Sequence, residues 1–526
     1  MRHIKRRDFL SALGAGALAA ALPGHRDTCA AAADRLPNIV IILADDMGFG
    51  DLACQNPESK IPTPNLDRLA SRGMRFTDAH SPSAVCSPTR YAMLTGTYAW
   101  RSPLKQSVLW TWDGPLIAPD TLTLGGMLRE RGYTTACIGK WHLGWDWPTT
   151  DGSRINDTVA LGDYSLEARK AFNDKIDLTR PIANGPTARG FDYYFGDDVP
   201  NFAPYCFIEN DRCTERPTAS KPDDMFGTPG PMVPGWKLDA VMPAITRKAV
   251  DFIKAAPGAA PFNKQADKPF FLYFPLTAPH TPVAPAAEFI GKSEAHRYGD
   301  YVCEVDWAVG QVVSALEETG QIDHTLIVFT SDNGSPANDG EKMDGRPRSL
   351  LQYGHNPSYI YRGIKADIWE GGHRVPFIAC WPGRIPKGVV STEPICHVDL
   401  MATCAAIVNY PLPDNAAVDS CNVLPALEGR TNDTPVREAI VHHSIDGTFA
   451  IRKGKWKLIL GRGSGGWSGK GDANDPPVQL YNMSTDVTES RNVQANHPEV
   501  VAELEGLLRK YQQEGRSVPH RTSAAE

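Results

Sequence analysis

The sequence predicts an α/β protein: a mainly parallel sheet sandwiched by helices, joined to a smaller C-terminal antiparallel sheet plus helix. Three observations lead there. Short apolar, β-branched runs alternate with segments of helical periodicity, as in strand–helix–strand units that cover both faces of a parallel sheet. Several of these runs stop abruptly at charged residues. From about Val436 the character changes to short alternating strands separated by turn signals.

In chain order, the first run is "NIVIILADD", Asn38 to Asp46, apolar up to its acidic end. It is followed by "TPNLDRLASRG", a helix with Thr63 as cap, Pro64 in the first turn, Leu66, Leu69 and Ala70 on one face, and Gly73 as stop. "SAVCSPTRYAMLTG", Ser83 to Gly96, predicts a second helix with Pro88 in its first turn and Gly96 ending it. Its mouth holds Cys86. A cysteine is ordinarily a small buried hydrophobe. Here it sits where unpaired N–H groups and the helix dipole attract anions, with Arg90 one turn on along the same face.

"YTTACIGK" is a strand ending near Lys140, "PFFLYFPLTAPH" one ending before His280, and "TLIVFTSDNG" one ending at Asp332. Between the last two, Val302, Val305, Val309, Val313 and Leu316 mark the buried stripe of a long helix closed by Gly320. "AIVHHS", "TFAIRKGKWKLILG" and "VQLYNM" supply the small sheet, and a helix near Pro498 to Gln512 follows. Between them, Gly461 to Asp475 reads as a flexible loop by composition. The expected organisation is residues 1–33 as an export segment, 34–435 as the large catalytic domain and 436–526 as a smaller α+β domain.

The 526 residues carry 42% hydrophobic and 22% charged side chains, the balance of a soluble globular chain. A net charge of −7 excludes broad attraction to nucleic acid, so an anionic ligand must meet a local basic cluster. The N-terminus has a basic start, an apolar stretch from Phe9 to Leu22 broken by Gly14 and Gly16, and small residues from Ala30 to Ala33. That is an export signal rather than a membrane span. Arg6-Arg7 before Asp8-Phe9-Leu10 resembles a twin-arginine signal, which implies the twin-arginine export machinery as a partner and a periplasmic or secreted destination. Cys29 lacks the preceding apolar residues of a lipid anchor, and Cys206 and Cys213 flank a short loop across which they could pair.

Ligands of open parallel sheets collect beyond the carboxyl ends of the strands. Those ends supply Asp45, Asp46, Lys140, His142, His280, Asp332 and Asn333. Each acidic pair taken alone is equally a turn or a cap. Together, three carboxylates and an amide carbonyl make a hard oxygen cage suited to Ca2+, or less well Mg2+, rather than zinc. Arg90, Lys140, His142, His280 and Lys365 would surround it and bind a tetrahedral oxyanion.

"ADDMGFGD", "CSPTR", "GKWHLG", "TAPHTP", "SDNG" and "GIKADIWEGGHRVP" follow one another between about Asp45 and Pro376. This ordered set resembles the type I (formylglycine-dependent) sulfatase family, of arylsulfatase-like kind. The resemblance implies an alkaline-phosphatase-like fold and hydrolysis of sulfate esters. It implies that Cys86, marked by Pro88 and Arg90, is converted to formylglycine by a maturation enzyme. It gives Asp45, Asp46, the modified Cys86, Asp332 and Asn333 as metal ligands, and Arg90 and Lys140 as groups that orient and neutralise the nucleophile. One hydroxyl of the hydrated aldehyde, helped by Asp46, would attack sulfur. The other would lose its proton to His142 and expel sulfate. His280 and Lys365 would hold the sulfate and assist the leaving group. Because the modification acts on unfolded chains, twin-arginine export would require conversion in the cytoplasm first.

Two other readings are a phosphomonoester or phosphonate hydrolase of the same superfamily and an inactive protein that binds sulfated glycans. Against the first stands a single cage with no clear second metal cluster. Six of the twelve tryptophans, Trp100, Trp110, Trp112, Trp141, Trp145 and Trp147, fall between "CSPTR" and the loop after "GKWHLG". They fill a core or stack on sugar rings, and the second use points to a sulfated saccharide as substrate.

Overall fold

The computed structural model describes residues 35–430 and 435–521. The export segment and Cys29 lie outside the described residues. Ten strands are, in chain order, β1 (Asn38–Asp45), β2 (Met74–Phe76), β3 (Thr134–Ile138), β4 (Tyr193–Gly196), β5 (Ile208–Glu209), β6 (Arg212–Cys213), β7 (Phe270–Pro279), β8 (Thr325–Ser331), β9 (Phe377–Cys380) and β10 (Val389–Ser391). They form one sheet in the order β10-β2-β9-β8-β1-β7-β3-β4-β5-β6. The centre is parallel: β8, β1, β7, β3 and β4 pair in one direction. Antiparallel pairs appear toward the margins, at β8–β9, β9–β2, β4–β5 and β5–β6.

Every residue of β1 is buried, because both of its faces are covered. Val40, Ile42 and Ala44 join a core with Leu66 and Leu69 of helix α1 (Pro64–Arg72). The same core takes in the apolar stripes of two further helices. Ile39, Ile41 and Leu43 are equally buried on the other side. Helix α2 (Cys86–Thr95) ends at Gly96, which takes a left-handed φ of 65° as an αL cap requires. Helix α3 (Val241–Lys254) contributes Met242, Ile245 and Phe252 to the first core, and helix α4 (His296–Glu318) contributes Val302, Val305, Val309, Val313 and Leu316.

Helix α1 ends at Gly73 as expected, but its start differs from expectation. Thr63 does not cap it; its Oγ1 accepts the Ala53 N–H at 3.1 Å instead. The exposed helix donors are met from α4, where the Asp306 carboxylate accepts the N–H groups of Asn65 and Leu66 at 3.2 and 2.8 Å. A carboxylate is the stronger acceptor at the positive end of a helix. Gly73 has an extended φ of −138° and is required by crowding, since a Cβ there would lie 2.2 Å from the Ala379 carbonyl oxygen of β9.

Four further strands, β11 (Ile440–His443), β12 (Phe449–Lys453), β13 (Trp456–Ile459) and β14 (Gln479–Asn482), pair antiparallel in sequence order. Helix α5 (Pro498–Gln513) covers them through Leu504, Leu508 and Tyr511. The same cluster includes Ala92 of α2 and Tyr98 and Trp100, so the small sheet shares its core with the helix that carries Cys86. The described residues from Pro37 onward cluster as one compact unit.

Candidate active site

β1 ends at Asp45, and Asp46 turns the chain with a φ of 67°. That left-handed step costs energy in a non-glycine residue and is the kind of strain that collects at functional sites. It is stabilised across the sheet: the Asp46 N–H donates to Asp332 Oδ1 at 3.1 Å, just beyond the end of β8.

The structure brings these side chains together. Lys140 Nζ donates to Asp45 at 2.7 Å, Arg90 holds Asp332 Oδ2 through Nε and Nη2 at 3.0 and 2.7 Å, and Asn333 Nδ2 donates to Asp46 at 2.7 Å. All of these side chains are buried. Burial alone would raise the Asp45 pKa, but Lys140, Arg90 and Lys365 outweigh it and hold the group below its ordinary value. Asp332 goes up, through burial and the neighbouring Asp45 charge.

Cys86 opens α2 with its thiol 3.7 Å from Asp45 Oδ1 and 3.8 Å from Lys365 Nζ. Burial pushes that thiol up to about 12 despite Lys140 and Lys365, so an unmodified Cys86 is neutral. Lys365 donates to Asp46 at 2.7 Å, and His280 Nε2 lies 3.7 Å from the same carboxylate. His280 Nδ1 donates to the Thr281 carbonyl, which leaves Nε2 facing the site. His142 has a φ of 52°, and its Nε2 donates to the Leu109 carbonyl at 2.9 Å. A carbonyl can only accept, so the remaining Nδ1 carries the lone pair; it is buried without a partner. Burial, with Lys140 adding to it, holds the His142 pKa well below the usual histidine range.

The donor set fits a divalent cation. Asn333 Oδ1 is a buried acceptor with no hydrogen-bond partner, beside the Asp46 carboxylate that its own amide nitrogen contacts. Ligand atoms of Asp45, Asp46, Cys86 and His280 lie within 4.8 Å of one another. Carboxylates and an amide oxygen are the chemistry that hard cations take.

A second cluster escaped sequence reasoning. His80, His373 and His442 also bring ring nitrogens within 4.8 Å of one another. The Lys457 ammonium donates to His373 Nε2 at 3.0 Å, the Nδ1 atoms of His373 and His80 are 3.1 Å apart, and His80 Nε2 meets Asp78 at 2.7 Å. The rings of His373 and His442 stack with centroids 3.9 Å apart. With Arg374 and Arg452 on Asp78, these side chains form a hydrogen-bonded and ion-paired chain.

Cys86, His142, His280 and Lys365 line a cavity of about 460 Å³. Of the six tryptophans singled out, Trp110 alone lines it, partly exposed. Trp100, Trp112, Trp141, Trp145 and Trp147 are core residues: all five are buried, the rings of Trp112 and Trp145 pack on that of Trp147, and Trp145 Nε1 donates to Asp198, Trp112 Nε1 to Asn173 and Trp141 Nε1 to the Gly144 carbonyl. The aromatic ring missed by sequence reasoning is Trp467, 48% exposed at the cavity and 5.9 Å from Lys365 Nζ. Its loop is no free tether: the Ile368 N–H donates to Ser464, and the Ser468 N–H and hydroxyl to Asp367. A lone tryptophan in a Gly- and Ser-rich stretch was the available signal.

The sulfatase family model matches residues 37–410. The chain belongs to the sulfatase family. Among curated sulfatases it is 34% identical over 497 residues to N-acetylgalactosamine-6-O-sulfatase of Bacteroides thetaiotaomicron, covering 90% of this chain and 92% of that one. It is 31% identical to human arylsulfatase A over 523 residues, covering 95% and 90%. A solved structure from work on glycosaminoglycan metabolism by Bacteroides thetaiotaomicron superposes with a TM-score of 0.74 at 31% identity, covering 91% of this chain and 100% of that one. The fold is accordingly alkaline-phosphatase-like, and the enzyme is a sulfuric ester hydrolase.

Proposed function

We propose that this sulfatase removes sulfate from saccharides, with residue 86 acting as a formylglycine hydrate. The observation that carries the reading is the position of Cys86: its side chain meets Asp45 and Lys365 on the wall of a cavity with room for a sugar ring. The names of the relatives, an N-acetylgalactosamine-6-O-sulfatase among them, support a sulfated hexosamine. A solved structure holding k-i-k-neocarrahexaose, with a TM-score of 0.66 at 25% identity over 93% of this chain, supports a carbohydrate in general.

Asp45, Asp46, Asp332, Asn333 and the modified residue 86 would hold a divalent cation, calcium in our reading, which when bound would supply positive charge for the sulfate group. Oxidised and hydrated, residue 86 carries two hydroxyl groups on one carbon. One gives its proton to the Asp46 carboxylate and attacks sulfur, and the bond from sulfur to the sugar oxygen breaks as that oxygen takes up a proton. Lys365 and His280 are the donors nearest to this exchange, and a bound anion makes His280 more basic. The second hydroxyl gives its proton to His142 Nδ1, the bond between carbon and the sulfate oxygen breaks, and the aldehyde returns. Arg90 and Lys140 keep Asp332 and Asp45 in place throughout. The maturation enzyme is a required partner, and the N-terminal segment addresses the folded product to the periplasm or beyond.

The test is a desulfation screen of matured enzyme against sulfated mono- and oligosaccharides, an aryl sulfate and a phosphate monoester. Saccharide desulfation is expected, with weaker turnover of the aryl sulfate. Activity confined to the aryl sulfate contradicts the carbohydrate reading, and preference for the phosphate ester contradicts the mechanism.

A further inference from the structure

The polar lining of the cavity is lopsided. Lys365 is the one lysine or arginine that lines it among the described residues, and it is held by Asp46 beside the reacting residue. Apart from these, the two histidines and Thr281, the polar side chains of the lining are Asn201, Asn338 and Asp344. Asn338, 4% exposed, has a buried Oδ1 without a partner, and Asn201 Oδ1 is likewise buried and unpaired. Asp344, partly exposed, adds a carboxylate whose contact from Asn338 Nδ2, at 3.5 Å, is at the limit of a hydrogen bond. Phe202, Trp110 and Trp467 supply the apolar walls.

Buried acceptors without partners carry a standing cost that a ligand removes by donating hydrogen bonds. Sugar hydroxyl and amide N–H groups donate. A carboxylate or a second sulfate cannot, and would bring negative charge against Asp344 in a lining whose one lysine or arginine among the described residues, Lys365, is held by Asp46.

We propose that Asn201, Asn338 and Asp344 are the specificity-determining wall of this enzyme. They accept a neutral hexose or hexosamine ring whose scissile sulfate is its only anion, and reject a ring carrying a second anionic group. The inference rests on the sulfated-saccharide reading above and adds to it which saccharides turn over.

The experiment compares kcat/KM for the best singly sulfated hexosamine in the screen with kcat/KM for the same sugar bearing a second sulfate. Aryl sulfate turnover by the same preparation is the reference for folded, matured enzyme. The wild-type enzyme is expected to favour the singly sulfated sugar by at least about tenfold, and Asp344→Asn to shrink that ratio severalfold. Asp344→Ser, read in the same way, guards against a fault peculiar to one variant. Equal kcat/KM for the two sugars in the wild-type enzyme, or a ratio that neither variant moves, overturns the inference alone. Turnover of the aryl sulfate with no turnover of any saccharide overturns the saccharide reading, and the inference with it.

Discussion

His142 shows how much one backbone carbonyl can decide. Leu109 takes the Nε2 proton, so the single lone pair left to the ring is on the unpartnered Nδ1. If that atom serves the second half of the reaction, His142→Gln should still release about one equivalent of alcohol per active site from an aryl sulfate and then stall. Steady-state kcat should fall by roughly 10²–10⁴, the usual worth of general base catalysis. Rapid-quench kinetics separates the two phases, and steady turnover without a burst would contradict the role. At this scale the sequence was informative wherever a side chain sits at a strand end, because topology forces such ends together: Lys140 meets Asp45, Arg90 meets Asp332, and His142 and His280 line one cavity. It was uninformative for the tryptophans. Which way a ring turns depends on partners such as Asp198 and Asn173, distant in sequence, and not on local composition.

Helix α4 shows the same limit for an element. Its apolar stripe was legible from spacing, but its three buried acidic residues were not assigned a task. Asp300 accepts the N–H groups of Gly291 and Ser293. Asp306 caps α1, while Glu304 is fully buried, accepts the Ala286 N–H at 2.9 Å and leaves its other oxygen unpartnered. Burial, reinforced by Glu288 and Asp239, pushes Glu304 up to about 8 from 4.5. A carboxyl group raised in this way favours the fold when protonated. Its contribution is complete below about pH 4.5 and is lost as pH rises through about 8. Glu304→Gln keeps the acceptor and removes the titration. Unfolding free energies measured from pH 5 to 9 should therefore fall less steeply in the variant, by at most about 4 kcal/mol over the range. Identical slopes would contradict the assignment. The loop from Gly461 to Asp475 teaches a related lesson: composition predicted slack, but bonds to Ile368 and Asp367 fix it where Trp467 borders the cavity.

For the whole molecule, alternation of strands and helices was enough to specify a mainly parallel sheet, because a strand buried on both faces has few other homes. The antiparallel margins and the core shared by α2 and the small sheet were not readable, since both depend on which surfaces meet. The export proposal belongs to this scale. Replacing Arg6 and Arg7 together by lysine should leave precursor in the cytoplasm, as fractionation would show, and undiminished export would contradict it. The account as a whole turns on residue 86. Mass spectrometry of the peptide spanning that position, from enzyme produced with its maturation partner, tests it most directly. The account predicts an aldehyde in place of the thiol, captured by a hydrazide in proportion to sulfatase activity and missing from an inactive, folded Cys86→Ala variant. Full activity from protein whose Cys86 is entirely thiol would contradict it.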